Sequence, residues 1–401
     1  MIWRITGDSV HLTKEEERML ESENKAVRKA MKLLVKLGDI YGAEEMVEIS
    51  SAQASGVSYK SIGDPGIKFL EEFAEEGAEV SVPTFANPAG MDLENWKDMN
   101  ISKEFAEKQH RIIDAMKKMG INITASCTPY LWSNLPRRNE HIAWAESSAV
   151  SFANSVIGAK TNREGGPSAL AAAITGRTPK HGLHLEENRK PTHVVQVDAE
   201  LEDISDFGAL GSWVGEKVED GKPYFIGVDS AGTDKLKSLG AAMAASGAVA
   251  LYFVENITVD SMDVSGLEEL TFGQKEKEDE YDNLTVSGDP ELVVFGCPHC
   301  SISEIEEVAK SLEGKELQKD LWVLTSKAVK AWSDRMGYTQ TIEEAGGQVL
   351  SDTCNVVCPI EGMKYEKTGT NSGKAANYLP GFCEQDVTFA TKDDLLEKVV
   401  E

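Results

Sequence analysis

The sequence predicts an α/β protein with largely parallel sheets. Three observations carry this. Short apolar runs of strand length recur along the chain, stretches with helical spacing lie between them, and helix-capping signals mark several helix starts. Strands separated by helices point to parallel pairing, because a parallel pair needs a long crossover, usually a helix.

The first element is a helix. Thr13-Lys14-Glu15-Glu16 has the capping-box form, in which hydroxyl and carboxylate satisfy free amides of the first turn. Met19, Leu20, Val27, Ala30, Met31, Leu34 and Val35 then recur at helical spacing, and Gly38 is the expected stop. Runs 45–49, 79–82, 121–125, 248–254, 291–295, 321–324 and 348–350 read as strands. Stretches 105–119, 234–245, 301–312 and 327–336 read as helices. Segment 260–288 is acidic and poor in apolar residues, with Gln274-Lys275-Glu276-Lys277-Glu278-Asp279-Glu280 at its centre. It reads as a solvated helix or surface loop, and as the best place for an internal boundary. No internal repeat is visible.

Composition narrows the function. The 401 residues carry 67 acidic and 41 basic side chains, a formal net charge of −26. Such a surface repels nucleic acid and anionic membranes, which bind through clustered Lys and Arg. The N-terminus shows no secretory pattern, and the longest apolar run, 241–254, is too short to span a bilayer. Six cysteines in this length fit a reducing cytoplasm. The expectation is a cytoplasmic protein long enough to fold without staples.

The cysteines carry the chemistry. Cys127 follows the strand expected at 121–125, Cys297 the strand at 291–295 and Cys354 the strand at 348–350. Strand carboxyl ends are where open α/β sheets place ligands, so three thiols distant in sequence could converge there. Cys300 and Cys358 complete Cys297-Pro298-His299-Cys300 and a Cys-x-x-x-Cys, and Cys383 stands alone. Spacing leaves four readings open: a structural zinc, a dithiol redox pair before a helix, a three-thiolate iron–sulfur cluster acting as Lewis acid, or buried thiols packed as small hydrophobes.

Small, polar loops are the second signal. Ser55-Gly56-Val57-Ser58-Tyr59-Lys60, Asn87-Pro88-Ala89-Gly90, Gly165-Gly166-Pro167-Ser168 and Gly369-Thr370-Asn371-Ser372-Gly373-Lys374 let backbone amides approach an anion where a helix begins. The last adds a cation but lacks the Walker A spacing. Each, singly, also reads as an ordinary turn. Glu146 with Ser147 is an acid/base or substrate-contact candidate. Arg137-Arg138 reads as a basic turn, and His181, His184 and His193 as hydrogen-bonded structural residues.

The segments Ser55 to Lys60, Asn87-Pro88-Ala89-Gly90-Met91-Asp92, Thr161-Asn162-Arg163-Glu164-Gly165-Gly166-Pro167-Ser168-Ala169-Leu170, Gly296-Cys297-Pro298-His299 and 354–359 together resemble the aconitase X family, and the likeness spans nearly the whole chain. The resemblance implies an aconitase-superfamily-like catalytic core of several α/β subdomains over 1–401, lacking the fused swivel domain. It implies a hydro-lyase converting (R)-5-phosphomevalonate to trans-anhydromevalonate 5-phosphate in the archaeal mevalonate pathway. By the same matching, Cys127, Cys297 and Cys354 would hold an iron–sulfur cluster, [4Fe-4S] when intact and [3Fe-4S] after loss of the open iron. Gly56, Val57, Ser58, Asn87, Pro88, Glu146, Ser147 and Lys374 would line the substrate site, with Glu146 and Ser147 catalytic; Cys300 is not expected to be a ligand. A small subunit carrying the swivel domain would form a heterodimer and complete the site. Other readings are a dehydratase of another hydroxy acid such as cis-3-hydroxyproline, a redox protein, or a zinc-stabilised binding protein.

Overall fold

The computed structural model describes residues 10–286 and 288–400. The first nine residues, where the absence of a targeting signal was expected, lie outside that range. No helix among the described residues is long and apolar enough to cross a membrane.

Very short parallel segments make the first layer. Ala52–Ala54 pairs with Thr84–Ala86, and single bridges join Ala52 to Ala143 and Phe85 to Asn122, all parallel. The spatial order is therefore 143, 52–54, 84–86, 122. Helices Lys25–Tyr41, Tyr59–Glu75, Lys103–Lys118 and Gly166–Thr175 cover this ladder. They contribute Met31, Leu34, Ile67, Leu70, Ile112, Met116, Leu170 and Ile174 to one core.

The C-terminal layer is a five-stranded, wholly parallel sheet. Its spatial order is Gln348–Ser351, Asp320–Thr325, Leu292–Phe295, Lys367–Thr370, Asp386–Phe389. Leu292 and Val294 join one core with Trp322 and Leu379, while Val293 and Phe295 join another with Ile305, Val308 and Leu395. Burial of both faces explains why these strands read as continuous apolar runs. Chain order reverses between Leu292–Phe295 and Lys367–Thr370, the switch point at which carboxyl ends diverge and open a crevice.

Between these layers in sequence comes a four-stranded parallel sheet, Phe253–Val254, Pro223–Ile226, His193–Val197 and Glu268–Phe272. Helices Ile204–Val218 and Thr233–Ser246 pack on it around Phe207, Leu210, Val214, Leu239 and Met243. Gly208 meets Gly373 so closely that a Cβ on Gly373 would lie 2.6 Å from the Gly208 carbonyl oxygen. That contact seats the helix Gly373–Cys383 against the middle of the molecule.

Several expectations need correction. The first helix is two, Lys14–Leu20 and Lys25–Tyr41, because Asn24 caps a new start through its Oδ1, 2.9 Å from the Ala26 nitrogen. The second ends at Gly42, with φ +69°, rather than Gly38. Residues 79–82 form no strand: Val80 and Ser81 donate instead to Met119 and Ala173 carbonyls, and the strand begins at Thr84. In 121–125 only Asn122 is bridged, and in 248–254 only Phe253–Val254 is regular. Positive φ at Ala125 and Ala248 breaks both runs. The acidic segment does form a helix, Gln274–Asn283, but it also supplies the edge strand Glu268–Phe272.

Candidate active site

Every parallel segment of the N-terminal ladder ends in a loop that enters one cavity. After Ala52–Ala54, Gly56 takes φ +74°, a conformation that favours glycine, and turns the chain into the helix Tyr59–Glu75. Ser58 caps that helix, accepting from the Lys60 amide at 3.2 Å and donating its hydroxyl to the Val357 carbonyl at 2.7 Å. Among the described residues no protein acceptor takes the N–H of Gly56, Val57 or Ser58. The loop thus presents free amides to the cavity from a single helical turn, because Gly63, with φ +55°, breaks the helix just beyond it. Gln109 pins the loop: its Nε2 donates to the Val57 carbonyl (2.7 Å), and its Oε1 accepts from the Tyr59 (3.1 Å) and Gly90 (3.0 Å) amides.

After Thr84–Ala86 come Asn87 and Pro88, and after Ala143 come Glu146 and Ser147. A buried network joins them. Gln53 Nε2 donates to Asn87 Oδ1 (3.1 Å), Asn87 Nδ2 to Glu146 Oε2 (2.7 Å), and the Glu146 amide to Gln53 Oε1 (3.3 Å). Glu146 Oε1 also accepts from Ser148 Oγ at 3.2 Å and from Lys374 Nζ. Cys127 follows the bridge at Asn122.

The C-terminal sheet supplies the opposite wall. Cys297 follows Leu292–Phe295, and Ser372, the cap of Gly373–Cys383, donates to its carbonyl. Lys374 therefore sits in the first turn after the neighbouring strand at the switch point. Cys354 follows Gln348–Ser351, and the Ala89 amide donates to the Asp352 carbonyl at 2.7 Å, stitching the two layers together.

The electrostatics are those of a buried ion pair beside thiols. Side chains of Lys374 and Glu146 are 8% and 15% exposed. Burial opposes both charges, but each stabilises the other, so Glu146 stays below the usual carboxylate range and Lys374 above the usual ammonium range. Burial pushes Cys127 up to about 12. Cys297 donates to Cys354, which, with Lys374 nearby, is lowered, while Cys297 itself is raised.

Cys127, Cys297, Cys354, Gly56, Val57, Ser58, Asn87, Pro88, Glu146, Ser147 and Lys374 all line this single cavity of about 270 Å³. Arg163 and Tyr378 line it too and were not singled out as site residues in the sequence. Gln53 and Gln109, which hold the loops, were also missed. Gln109 did leave a signal, a polar residue on the apolar stripe of Ala106, Ile112, Ile113 and Met116, where it is fully buried. Other candidates lie elsewhere. Cys300 packs with Ile305 and Val308 in a core across the sheet from the one that takes Cys297. Cys383 lies 3.3 Å from Lys60 Nζ, which also contacts the Cys358 carbonyl at 3.1 Å. Gly165, Pro167 and Ser168 line a neighbouring cavity with His181. His184 pairs with His141, Nδ1 to Nδ1 at 2.9 Å.

Among the described residues no three His, Cys, Asp or Glu side chains converge to hold a single metal ion. A polynuclear cluster spaces its thiolates on separate irons. Three buried cysteines on separate strand-end loops around one cavity suit that demand, and one is already disposed toward thiolate.

Comparison with known proteins places this arrangement. Models of the first, second and third domains of aconitase X match residues 9–187, 191–282 and 290–401. The phosphomevalonate dehydratase large subunit of Methanocaldococcus jannaschii is 54% identical over 97% of this chain and all of that one. The crystal structure of Thermococcus kodakaraensis aconitase X in its holo-form superposes with a TM-score of 0.91 at 46% identity, covering 97% of this chain and all of that chain. A cis-3-hydroxy-L-proline dehydratase of Pseudomonas aeruginosa is 29% identical over 96% of this chain and 69% of its own length.

Proposed function

The chain belongs to the aconitase X family, and from that premise we infer that it is the large, catalytic subunit of a hydro-lyase converting (R)-5-phosphomevalonate to trans-anhydromevalonate 5-phosphate. The observation that carries the reading is the meeting of three buried cysteines, a Lys–Glu pair and free helix-start amides on one cavity. The large-subunit relative, 54% identical over 97% of this chain, favours phosphomevalonate over hydroxyproline, whose dehydratase is more distant.

In this reading Cys127, Cys297 and Cys354 hold an iron–sulfur cluster, [4Fe-4S] when intact and [3Fe-4S] once its open iron is lost. When bound, the cluster supplies Lewis acidity for departure of a tertiary hydroxide, a poor leaving group on its own. The remaining work falls to the chain. The unpaired amides of Gly56, Val57 and Ser58 receive the phosphate. Lys374 faces substrate as a point charge that leans from Glu146 toward an arriving anion. Glu146 is ionised at neutral pH and accepts or returns a proton at Oε1 or Oε2. Asn87 and Gln53 fix its plane, and Ser147 completes the polar wall. Pro88 shapes the neighbouring turn.

The proton alpha to the carboxylate also needs a base. The family's large-subunit naming implies a small partner, and we assign to it the swivel domain whose serine is that base in the wider superfamily. The pair works as a heterodimer in an archaeal cytoplasm, and the large chain alone is inactive.

The test combines anaerobic absorbance, iron and acid-labile sulfide counts with turnover of (R)-5-phosphomevalonate by the reconstituted heterodimer. Wild type should show broad absorbance near about 400 nm, lost in Cys127→Ser, Cys297→Ser and Cys354→Ser. Iron-free protein that dehydrates this substrate, or cluster-loaded heterodimer that dehydrates only hydroxyproline, would sink the assignment.

A further inference from the structure

Of the residues that hold the site without lining it, His299 touches all three cysteine loops. Its ring is fully buried, and it is not among the residues lining the cavity. Nε2 lies 2.7 Å from the carbonyl oxygen of Thr353, the residue before Cys354. A carbonyl only accepts, so Nε2 carries the hydrogen. In the neutral ring Nδ1 is then an acceptor, 3.2 Å from the hydroxyl of Ser126, the residue before Cys127. That hydroxyl accepts the Thr128 amide at 3.2 Å and lies 3.3 Å from Thr128 Oγ1; because Nδ1 only accepts, Ser126 gives its hydrogen to the ring and the Thr128 hydroxyl can donate to Ser126. The His299 main-chain N–H reaches Cys127 Sγ at 3.2 Å. Its carbonyl accepts from Lys237 Nζ at 3.1 Å, and Lys237 is fixed by ion pairs to Asp234 and Glu304.

We propose that His299 is the positioning residue of the three-cysteine centre, a bracket that locks the Cys127, Cys297 and Cys354 loops at one spacing. It stands two residues after Cys297, and its two ring nitrogens hold the loops of the other two cysteines. The Lys237 ion pairs anchor the bracket to the helix caps behind it. The main-chain N–H to Cys127 adds the kind of outer contact that orients a thiolate ligand. Because the ring has no access to the cavity, His299 acts through the loops and not on substrate. The inference rests on Cys127, Cys297 and Cys354 forming one ligand set.

The experiment measures iron release to a chelator from the anaerobically reconstituted heterodimer, followed as decay of absorbance, with melting temperature recorded in parallel. His299→Ala should speed release by about tenfold or more, the usual scale for lost outer-shell partners. His299→Gln keeps a donor toward Thr353 and His299→Asn an acceptor toward Ser126, so each should fall between alanine and wild type. His184→Gln, which disturbs a buried histidine bonded to His141 and not lining the cysteine cavity, should lower melting temperature and leave release within twofold of wild type. A second readout needs no cluster: alkylation of Cys127 in the iron-free chain should accelerate in His299→Ala and not in His184→Gln. Release within twofold of wild type for His299→Ala overturns the proposal. So does equal acceleration by His184→Gln at matched melting temperature, since stability alone would then explain the effect. If alanine fails to fold, the glutamine and asparagine variants decide by the same limits. Wild type that binds no cluster removes the underlying reading as well, an outcome distinct from a cluster-bearing wild type with an indifferent His299.

Discussion

Replacing Lys374 by methionine should leave Glu146 as a buried carboxylate with only Asn87 and Ser148 beside it. An abandoned buried charge costs about 3–5 kcal/mol, unless the group escapes by taking up a proton. The escape has a calculable cost. Neutralising at pH 7 a carboxyl whose ordinary pKa is 4.5 costs about 3.4 kcal/mol, and at pH 5 only about 0.7. The signs agree. In wild type the Glu146 pKa is depressed, so the pair contributes stability above the unfolded value that fades as pH falls through the folded one. In Lys374→Met the pKa is raised, so the deficit opens as pH climbs past 4.5. Urea unfolding of the iron-free chain should therefore show a gap between wild type and variant that narrows by about 2.7 kcal/mol from pH 7 to pH 5. Adding Glu146→Gln, whose amide keeps an acceptor for Asn87, should restore most of the loss. A gap independent of pH, or a double variant no more stable than the single one, would refute the reasoning.

Other expectations follow from the same geometry. Glu146→Gln in the assembled heterodimer should reduce kcat by at least about 100-fold, the usual scale of a lost acid or base, with cluster absorbance intact; unchanged turnover would remove Glu146 from the chemistry. Cys300→Ala, Cys358→Ala and Cys383→Ala should each keep wild-type iron content, since these sulfurs lie outside the cavity. Burial lowers His184 to about 3 from its ordinary 6.5. Its neutral form is the folded one, so stability present above pH 6.5 should fall by about 2 kcal/mol on acidification to pH 5. His184→Gln should flatten that slope in denaturant titrations. Gly373→Ala would push a methyl within 2.6 Å of the Gly208 carbonyl oxygen, so it should destabilise by about 1–3 kcal/mol and raise KM by shifting Lys374.

The sequence is most legible where physics is local. Runs 291–295, 321–324 and 348–350 are legible as strands because both faces are buried and all residues but the leading Glu291 and Gln348 are apolar. Ala52–Ala54 and Thr84–Ala86 were invisible for the opposite reason. Three residues with a buried Gln53 or Thr84 have no period to detect, and they exist as strands only through neighbours far along the chain. The cysteines were legible as strand-end residues even where the strand itself, 121–125, dissolved to one bridge. His299 figures in the sequence only as part of the motif Gly296-Cys297-Pro298-His299 and has no role assigned there, since its partners Ser126 and Thr353 are remote in sequence. Arg163 and Tyr378 reach the cavity from a loop and a helix turn whose orientation only packing decides.

The two walls of the cavity are also separated in time. Roughly 230 residues lie between Cys127 and Cys354, and at about 5–20 residues per second a ribosome needs about 10–45 seconds to cross that distance. Throughout that interval the N-terminal ladder offers one thiol and a carboxylate without its lysine. On the proposed ligand set, that ladder alone would not make a finished site. The three cysteines would be present together only once Cys354 has been made, so a cluster-delivering system would meet a nearly finished chain.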